Sequence, residues 1–206
     1  MPTSFRNPNR FRLLLRTIYE RRNACTWIPL APTGSMDPLF GGQTTVCVRW
    51  GNVRPSPGDI TLFMTADGIL TVHRVVALRQ RAGIEVLQMA DQFNYRDPYS
   101  GGWIPLSDLL GTVIAFQRPG LGLAPIALDT SAARRLNRYL AVTQRILWVM
   151  GGANAGWFHS VEPLRRLGFH AAKAIHIGLS FVVAYLLRLL SHKVMTACGD
   201  HEEGKI

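Results

Sequence analysis

Short apolar runs separated by turn-forming residues dominate the sequence between residues 26 and 118. They lie at 43–50, 59–65, 69–78, 84–90 and 111–117. Asp67-Gly68 stands between two of these runs, and this dipeptide tolerates the positive φ angles of a tight hairpin turn. Arg81-Ala82-Gly83 supplies a second turn. Closely spaced strands with turn chemistry between them predict a mainly β domain, barrel-like or sandwich-like.

After Pro119-Gly120 the pattern becomes helical. Apolar residues recur at helical spacing over 131–150, and Gly151-Gly152 would end this helix. The pattern over 162–190 predicts a second helix. We therefore predict an α+β protein: a basic segment at 1–25, a β domain at 26–118, a helical region at 119–198 and a disordered tail at 199–206.

Residues 175–187 in the second predicted helix are nearly free of charge. A run of 13 residues is shorter than the roughly 20 that cross a bilayer. Extending it takes in Lys173 and Arg188, both of which could snorkel to the interface. We interpret residues 173–190 as an interfacial or packed amphipathic helix, with a membrane span as the alternative.

The formal net charge is +10 and the pI is near 10.4. This balance indicates an anionic partner, a lipid surface or a nucleic acid, although solubility alone would also account for it. The arginines are not interleaved with aromatics in any recognisable nucleic-acid module, which disfavours nucleic acid. An anionic membrane surface is the predicted partner.

The basic start of the chain predicts a helix over 10–21. Its apolar run Leu13-Leu14-Leu15 is too short for a signal-peptide core, and no stretch before Ser35 could cross a bilayer. We expect a membrane-associated or cytoplasmic protein without a cleavable signal peptide or an N-terminal anchor.

The cysteines and histidines do not form a metal pattern. Three widely separated cysteines include no CxxC pair, and His170 and His176 stand six apart, the wrong interval for one helical face. The sequence predicts neither a disulfide framework nor a metal or other cofactor.

Three strings combine into a candidate catalytic site. The first, Thr33 to Pro38, puts Ser35 in a Gly/Pro-rich loop, where a nucleophile can be exposed, although serine there is more often a plain turn residue. The second, Thr71 to Val76, puts His73 inside a strand with Thr71 and Val75 on its face. Such a histidine suits a general base, and a satisfied core histidine is the ordinary interpretation.

The third string, Ala90 to Pro98, contains Asp91, Asn94 and Asp97 just past a strand. An aspartate here could orient a histidine and stabilise its imidazolium. Ordinary loop capping by Asp and Asn is the alternative.

In this order, the strings resemble the boxes of the type I signal peptidase superfamily, across residues 31–117. The family's Gly-Ser-Met-x-Pro box is similar to residues 34–38, and its Pro-Gly-Asp strand to 57–59. The His-Arg-Val of the endoplasmic-reticulum and archaeal members resembles 73–75. The Asp and Asn box is similar to 91–97, and the Leu-x-Gly-x-Val strand resembles 110–113.

The resemblance implies a serine endopeptidase that cleaves a leader or signal peptide from a precursor. Ser35 would be the nucleophile, His73 the base and Asp97 the triad acid, with Asp91 as a supporting acid; the choice between the two aspartates stays open. The Ser35 N–H would form part of the oxyanion hole.

The resemblance also assigns residues around the catalytic group. Thr33 would complete the oxyanion hole, and Met36 would line the pocket for a small substrate side chain. We interpret Asp59 as a structural residue, a turn acceptor and not a catalyst.

The chain departs from the family at Ala90, which replaces a glycine, and in lacking the membrane helix before the serine. Two alternatives stay open: a non-catalytic scaffold of this fold that binds a membrane or a partner, and a self-cleaving regulator. The related self-cleaving repressors use lysine as their base and carry a DNA-binding unit ahead of the core.

Overall fold

A computed structural model of the chain describes residues 17, 25–31, 34–41, 43–51, 54–65, 67–93, 101–119, 124–151 and 162–190. Within these residues, eight β-strands are followed by two α-helices. The strands are β1 Cys25–Pro29, β2 Thr45–Trp50, β3 Ile60–Met64, β4 Leu70–Gln80, β5 Ile84–Met89, β6 Gly101–Pro105, β7 Leu109–Gln117 and β8 Ile126–Ala127. The helices are α1 Ser131–Gly151 and α2 Glu162–Leu190. The predicted α+β architecture is confirmed.

All strands belong to one antiparallel sheet in the order β1-β2-β7-β3-β4-β5-β6, with β8 pairing β7. The predicted Asp-Gly turn joins β3 to β4, and Gly68 there has φ +80°. Thr65 N–H donates to the Ile69 carbonyl at 2.9 Å and closes the turn. Local turn chemistry thus places the strand that carries His73.

Three strands were not predicted: β1, β6 and β8. β1 and β6 are the two ends of the sheet order, and β6 begins with Gly101-Gly102, which reads as a loop in sequence. A Cβ on Gly101 would lie 3.0 Å from the Gln88 carbonyl oxygen, so glycine permits this close pairing. Because β8 also joins the sheet, the predicted helical region is attached to the β domain directly.

The two helices contribute side chains to the same hydrophobic clusters as the strands. One core cluster joins Leu39, Phe116 and Leu62 of the β domain to Leu140 of α1 and Leu187 of α2. A second cluster stacks Phe93, from the turn after β5, against Trp148 and Phe169, with ring centroids 5.8 and 6.2 Å apart. Both ends of the helical hairpin are therefore anchored to the sheet.

Both helix predictions are confirmed to within one residue. Thr130 caps α1: its hydroxyl accepts a hydrogen bond from the Ala133 N–H at 3.2 Å, which satisfies a free amide of the first turn. α2 buries one stripe, which consists of Phe169, His176, Ser180, Val183, Ala184 and Leu187. The helix 10–21 and the tail 199–206 lie outside the described residues, except for Thr17.

The outer face of the hairpin is apolar. On α1, Tyr139 and Val149 are each 71% exposed, and Val142 and Ile146 lie between them on the same stripe. On α2 the exposed large residues include Ile175, Leu179, Phe181, Val182, Tyr185, Leu186 and Leu189. Residues Arg166–Leu190 are long and apolar enough to cross a membrane by length and composition alone, and 28% of the most apolar stretch is buried.

Candidate functional site

Ser35 lies on a tight turn between β1 and β2. Gly34 before it has φ +69°, and its carbonyl accepts the Asp37 N–H at 3.0 Å, which closes the turn. Met36, Leu39 and Phe40 behind it are buried in the main core cluster. Because these apolar residues hold the turn against the core, Ser35 stays half-buried at its outer side, where a nucleophile can meet a peptide.

His73 lies in the middle of β4 and is almost completely buried, at 2% exposed. Thr61 of β3 is its cross-strand partner, and the Phe63 ring centroid lies 5.6 Å from the imidazole centroid. Val75 packs in the same cluster as Phe63, which confirms the predicted face shared by His73 and Val75. The pairing of β4 with β3 therefore fixes the backbone of His73.

A small cavity joins the serine turn to β4. Its volume is about 130 Å³, and its walls include Ser35 and Met36 on one side and Thr71 and Val72 on the other. Thr71 and His73 are two residues apart on one strand face, a rise of about 7 Å. The structure thus brings the first two strings of the sequence to the same place.

The third string holds the serine turn in position. The Gln92 N–H donates to the Ser35 carbonyl at 2.9 Å. The Gln92 side-chain amide donates to the Asp37 carbonyl at 3.1 Å. Two hydrogen bonds from one residue therefore tie the turn after β5 to the Ser35 turn. Asp97 and Thr33 lie outside the described residues.

Asp91 forms a buried ion pair with Arg74, the residue after His73. Arg74 Nη2 donates to both carboxylate oxygens at 3.0 Å, and neither side chain is exposed. Neighbouring residues of a strand point to opposite faces, so Asp91 meets β4 on the face opposite to His73. The ion pair therefore fixes the strand that carries His73 from the face opposite to the imidazole.

The C-terminal helices surround the Asp91 carboxylate. Gln144 Nε2 of α1 donates to Oδ1 at 2.9 Å, and His176 Nε2 of α2 lies 3.8 Å from Oδ1. Asn137 of α1 accepts a hydrogen bond from Arg74. Burial raises the pKa of Asp91, but the Arg74 charge and His176 outweigh it, so the pKa of Asp91 lies below its ordinary value. The aspartate is therefore held in its charged form.

His176 has a defined hydrogen-bond arrangement. Thr143 Oγ1 donates to the Leu140 carbonyl at 2.9 Å and lies within hydrogen-bond distance of His176 Nδ1, at 2.7 Å. His176 Nε2 faces the Ser180 hydroxyl at 3.5 Å and Asp91 beyond it. The imidazole thus connects α1, α2 and the β domain in one buried polar network.

The sequence contains a signal for this network in the polar residues on the buried faces of the two helices. Asn137 and Gln144 stand seven apart on the buried face of α1, and His176 and Ser180 stand on the buried face of α2. Polar residues on an otherwise apolar helix face need buried partners. Only the fold could show that Arg74 and Asp91 are among those partners.

The other predicted site residues fall as follows. Met36 lines the cavity beside Ser35 and is 3% exposed. Asp59 accepts the Ser56 N–H at 2.7 Å, as a structural turn acceptor does. Within the described ranges, no group of three or more His, Cys, Asp or Glu side chains could hold a metal ion.

Comparison of the chain with models of known protein families and with characterised proteins found no match in either case.

Proposed function

We propose that this protein is a serine endopeptidase of the signal peptidase type that cleaves a leader or signal peptide from a precursor. The observation that carries the proposal is the shared cavity: the Ser35 turn and the β4 residues next to His73 form its walls. Gln92 of the third string is hydrogen-bonded to the same turn. Residues from all three strings, which are far apart in sequence, therefore lie around the Ser35 turn, and this supports the proposal.

The chemistry follows the serine–histidine–aspartate scheme. Ser35 Oγ attacks the scissile carbonyl carbon while His73 takes the hydroxyl proton. Collapse of the tetrahedral intermediate breaks the C–N bond, and His73 returns the proton to the leaving amine. Water, deprotonated by His73, then hydrolyses the acyl-enzyme. Asp97 would orient His73, and the Ser35 N–H with Thr33 would stabilise the oxyanion.

Asp91 supports this scheme at one remove. Its ion pair with Arg74 ties the turn that carries Gln92 to the strand that carries His73. A charged pair buried on both sides has one preferred geometry, since any displacement leaves an uncompensated charge. The base and the nucleophile loop therefore share one rigid support.

The cavity beside Ser35 suits a small substrate side chain. Its volume of about 130 Å³ is below the range of about 300–1,000 Å³ for ligand pockets, and Met36, Phe40 and Leu30 give it an apolar wall. An extended peptide next to the serine turn would be positioned by backbone hydrogen bonds, while this cavity selects the residue before the cleaved bond.

The decisive experiment incubates wild type or Ser35→Ala with precursors of secreted or modified peptides from the same organism as the protein. Mass spectrometry then measures cleavage of each precursor. Ser107→Ala is the matched control, because Ser107 is an exposed serine that bonds only its neighbour Asp108 among the described contacts. We expect cleavage by wild type and the control, with none by Ser35→Ala. Equal processing by Ser35→Ala would refute the proposal.

The same incubation separates the two alternative functions. A self-cleaving regulator would lose its own chain integrity on standing, in a Ser35-dependent way and without added precursor. A scaffold would cleave nothing while still retaining a partner or a membrane.

We also propose that the helical hairpin lies on an anionic membrane surface. Its exposed stripes on α1 and α2 are apolar, and α1 carries exposed Arg134, Arg135, Arg138 and Arg145. An apolar face flanked by arginines is the pattern of an interfacial helix, and each arginine near an anionic surface adds about 1 kcal/mol. A spanning orientation would have to detach the buried stripe of α2, including His176 and Ser180, from the core.

Vesicle flotation tests this orientation. The variant Phe181→Asp/Tyr185→Asp places two charges on the exposed stripe, and Ile84→Asp places one on an exposed apolar site of the sheet. We expect the first to abolish flotation with phosphatidylglycerol vesicles and the second to leave it intact. Flotation that survives the stripe variant would contradict the proposed surface.

A further inference from the structure

A second cavity lies away from the Ser35 cavity and shares no wall residue with it. Its volume is about 350 Å³, within the range of about 300–1,000 Å³ for ligand pockets. The end of β2, the loop 54–59, the middle of β7 and the first half of α1 form its walls. Neither the proposed catalytic chemistry nor the resemblance uses this cavity.

The walls of this cavity are strongly basic. Four arginines and two aspartates line it. Arg49 is already paired with Asp129 at 3.0 Å, and Asp59 accepts the Ser56 N–H. In the part of the chain that the structure describes, no carboxylate lies within ion-pair distance of the remaining arginines: Arg54, Arg134 and Arg138.

The three arginines come from two elements that are packed tightly together. Gly58 has φ +103°, and a Cβ there would lie 2.7 Å from the Arg138 backbone nitrogen. Only glycine allows this approach, and it holds the loop that begins at Arg54 against α1. The cavity is thus bounded by fixed backbone on both sides.

Arg134 and Arg138 stand four residues apart on α1, so their like charges face each other on one helix surface. Such a pair destabilises a helix slightly when no anion is present. A bound anion would remove the repulsion and would meet a third guanidinium, from Arg54, on the opposite wall. The planar guanidinium fork matches phosphate oxygens in bidentate geometry.

We propose that this cavity binds a phosphate group, either as free phosphate or as the headgroup of an anionic phospholipid. The tetrahedral oxygens of the phosphate would accept hydrogen bonds from Arg134 and Arg138 on one side and from Arg54 on the other. A headgroup would tie the basic wall of α1 to the bilayer on which its apolar stripe is proposed to lie.

The first experiment titrates inorganic phosphate into the full chain by isothermal calorimetry. The test variant is Arg134→Ala/Arg138→Ala. The control is Arg135→Ala/Arg145→Ala, which removes the same charge from exposed sites of the same helix that do not line the cavity. We expect phosphate affinity to fall by about tenfold or more in the test variant and less than about twofold in the control.

Arg54→Ala provides a second test from the other wall, because it leaves α1 unchanged. A similar loss in Arg54→Ala supports a single site between the loop and the helix. Equal losses in the Arg134/Arg138 and Arg135/Arg145 variants would show diffuse attraction to a basic surface and overturn the proposal. Absence of phosphate binding by wild type would overturn it unless the vesicle experiment shows a cavity-specific loss.

Vesicle flotation separates the two sources of the phosphate. Vesicles of phosphatidylcholine with phosphatidic acid are compared with vesicles of phosphatidylcholine alone. A lipid source predicts that the cavity variant floats less than the Arg135→Ala/Arg145→Ala control with phosphatidic acid. A free-phosphate source predicts equal flotation of the two variants together with the loss measured by calorimetry.

If neither assay distinguishes the cavity variant from its control, the proposal is wrong. Because the cavity does not touch Ser35, precursor cleavage by the Arg134→Ala/Arg138→Ala variant in detergent should match wild type. Failure of phosphate binding and failure of the proposed peptidase activity are therefore separate outcomes.

Discussion

Removing the Asp91 carboxylate should reveal how far the stability of the β domain depends on its buried ion pair. Asp91 and Arg74 are both fully buried, with Arg74 Nη2 at 3.0 Å from each carboxylate oxygen. In Asp91→Ala the guanidinium would stay inside the protein with only Asn137 as an uncharged partner. Breaking a buried pair in this way costs about 3–5 kcal/mol. Because a domain is stable by about 5–15 kcal/mol in total, this loss is a large share.

Urea unfolding at neutral pH measures this loss as a lower midpoint with an unchanged slope. Asp129→Ala is the matched control, because the Arg49–Asp129 pair has a similar distance of 3.0 Å but is exposed on the Arg49 side. Exposed pairs contribute about 0–1 kcal/mol, so the control should change the free energy of unfolding by no more than that.

A third variant, Arg74→Leu/Asp91→Leu, tests the physical reason. It removes both charges, so no unpaired charge remains, and it should be less destabilised than Asp91→Ala. If Asp91→Ala is destabilised no more than Asp129→Ala, or if the double variant is the least stable of the three, the buried charge is not the cause and the reasoning fails.

Further predictions concern acid sensitivity, the serine turn and the backbone. Because folding lowers the pKa of Asp91, the stabilisation by its carboxylate is present above the ordinary pKa of about 3.9 and is lost as the pH falls toward the folded-state pKa. The melting temperature of Asp91→Asn should therefore fall less than that of wild type below about pH 5. Gln92→Ala removes the 3.1 Å hydrogen bond to the Asp37 carbonyl and should slow precursor cleavage several-fold. The free energy of unfolding in urea should fall by only about 0.5–1.5 kcal/mol. Unchanged cleavage would refute this positioning role. Gly58→Ala should lower the free energy of unfolding by more than about 1 kcal/mol, because the new Cβ would meet the α1 backbone. Gly83→Ala, whose Cβ would meet open space, should be neutral or slightly stabilising. Similar melting temperatures for the two variants would contradict the close approach of Gly58 to α1.

The strands and helices that local chemistry specifies were predictable. β4 is buried on both faces around His73, from Val72 to Val76, and the Asp67-Gly68 turn before it has the positive φ that glycine supplies. The bounds of α1 and α2 follow from apolar spacing over many turns, the most robust pattern in a sequence. Edge strands such as β6 were missed, because a Gly-Gly start becomes a strand only when its partner β5 lies alongside.

The sequence by itself determined the candidate chemistry. Ser35, His73 and the aspartates around 91–97 stand in a recognisable order, and the family resemblance depends on this order together with the boxes at 57–59 and 110–113. Composition also indicated an anionic partner, since a net charge of +10 is independent of how the chain folds.

The tertiary structure alone decided how these residues are supported. Asn137, Gln144 and His176 lie dozens of residues beyond Asp91, and only packing of the hairpin on the sheet brings them to its network. The basic cavity also exists only because Gly58 lets a loop approach α1. Local patterns encode strands, helices and turns, but a buried charge must find its partners wherever the fold brings them, since the interior offers no water to replace them.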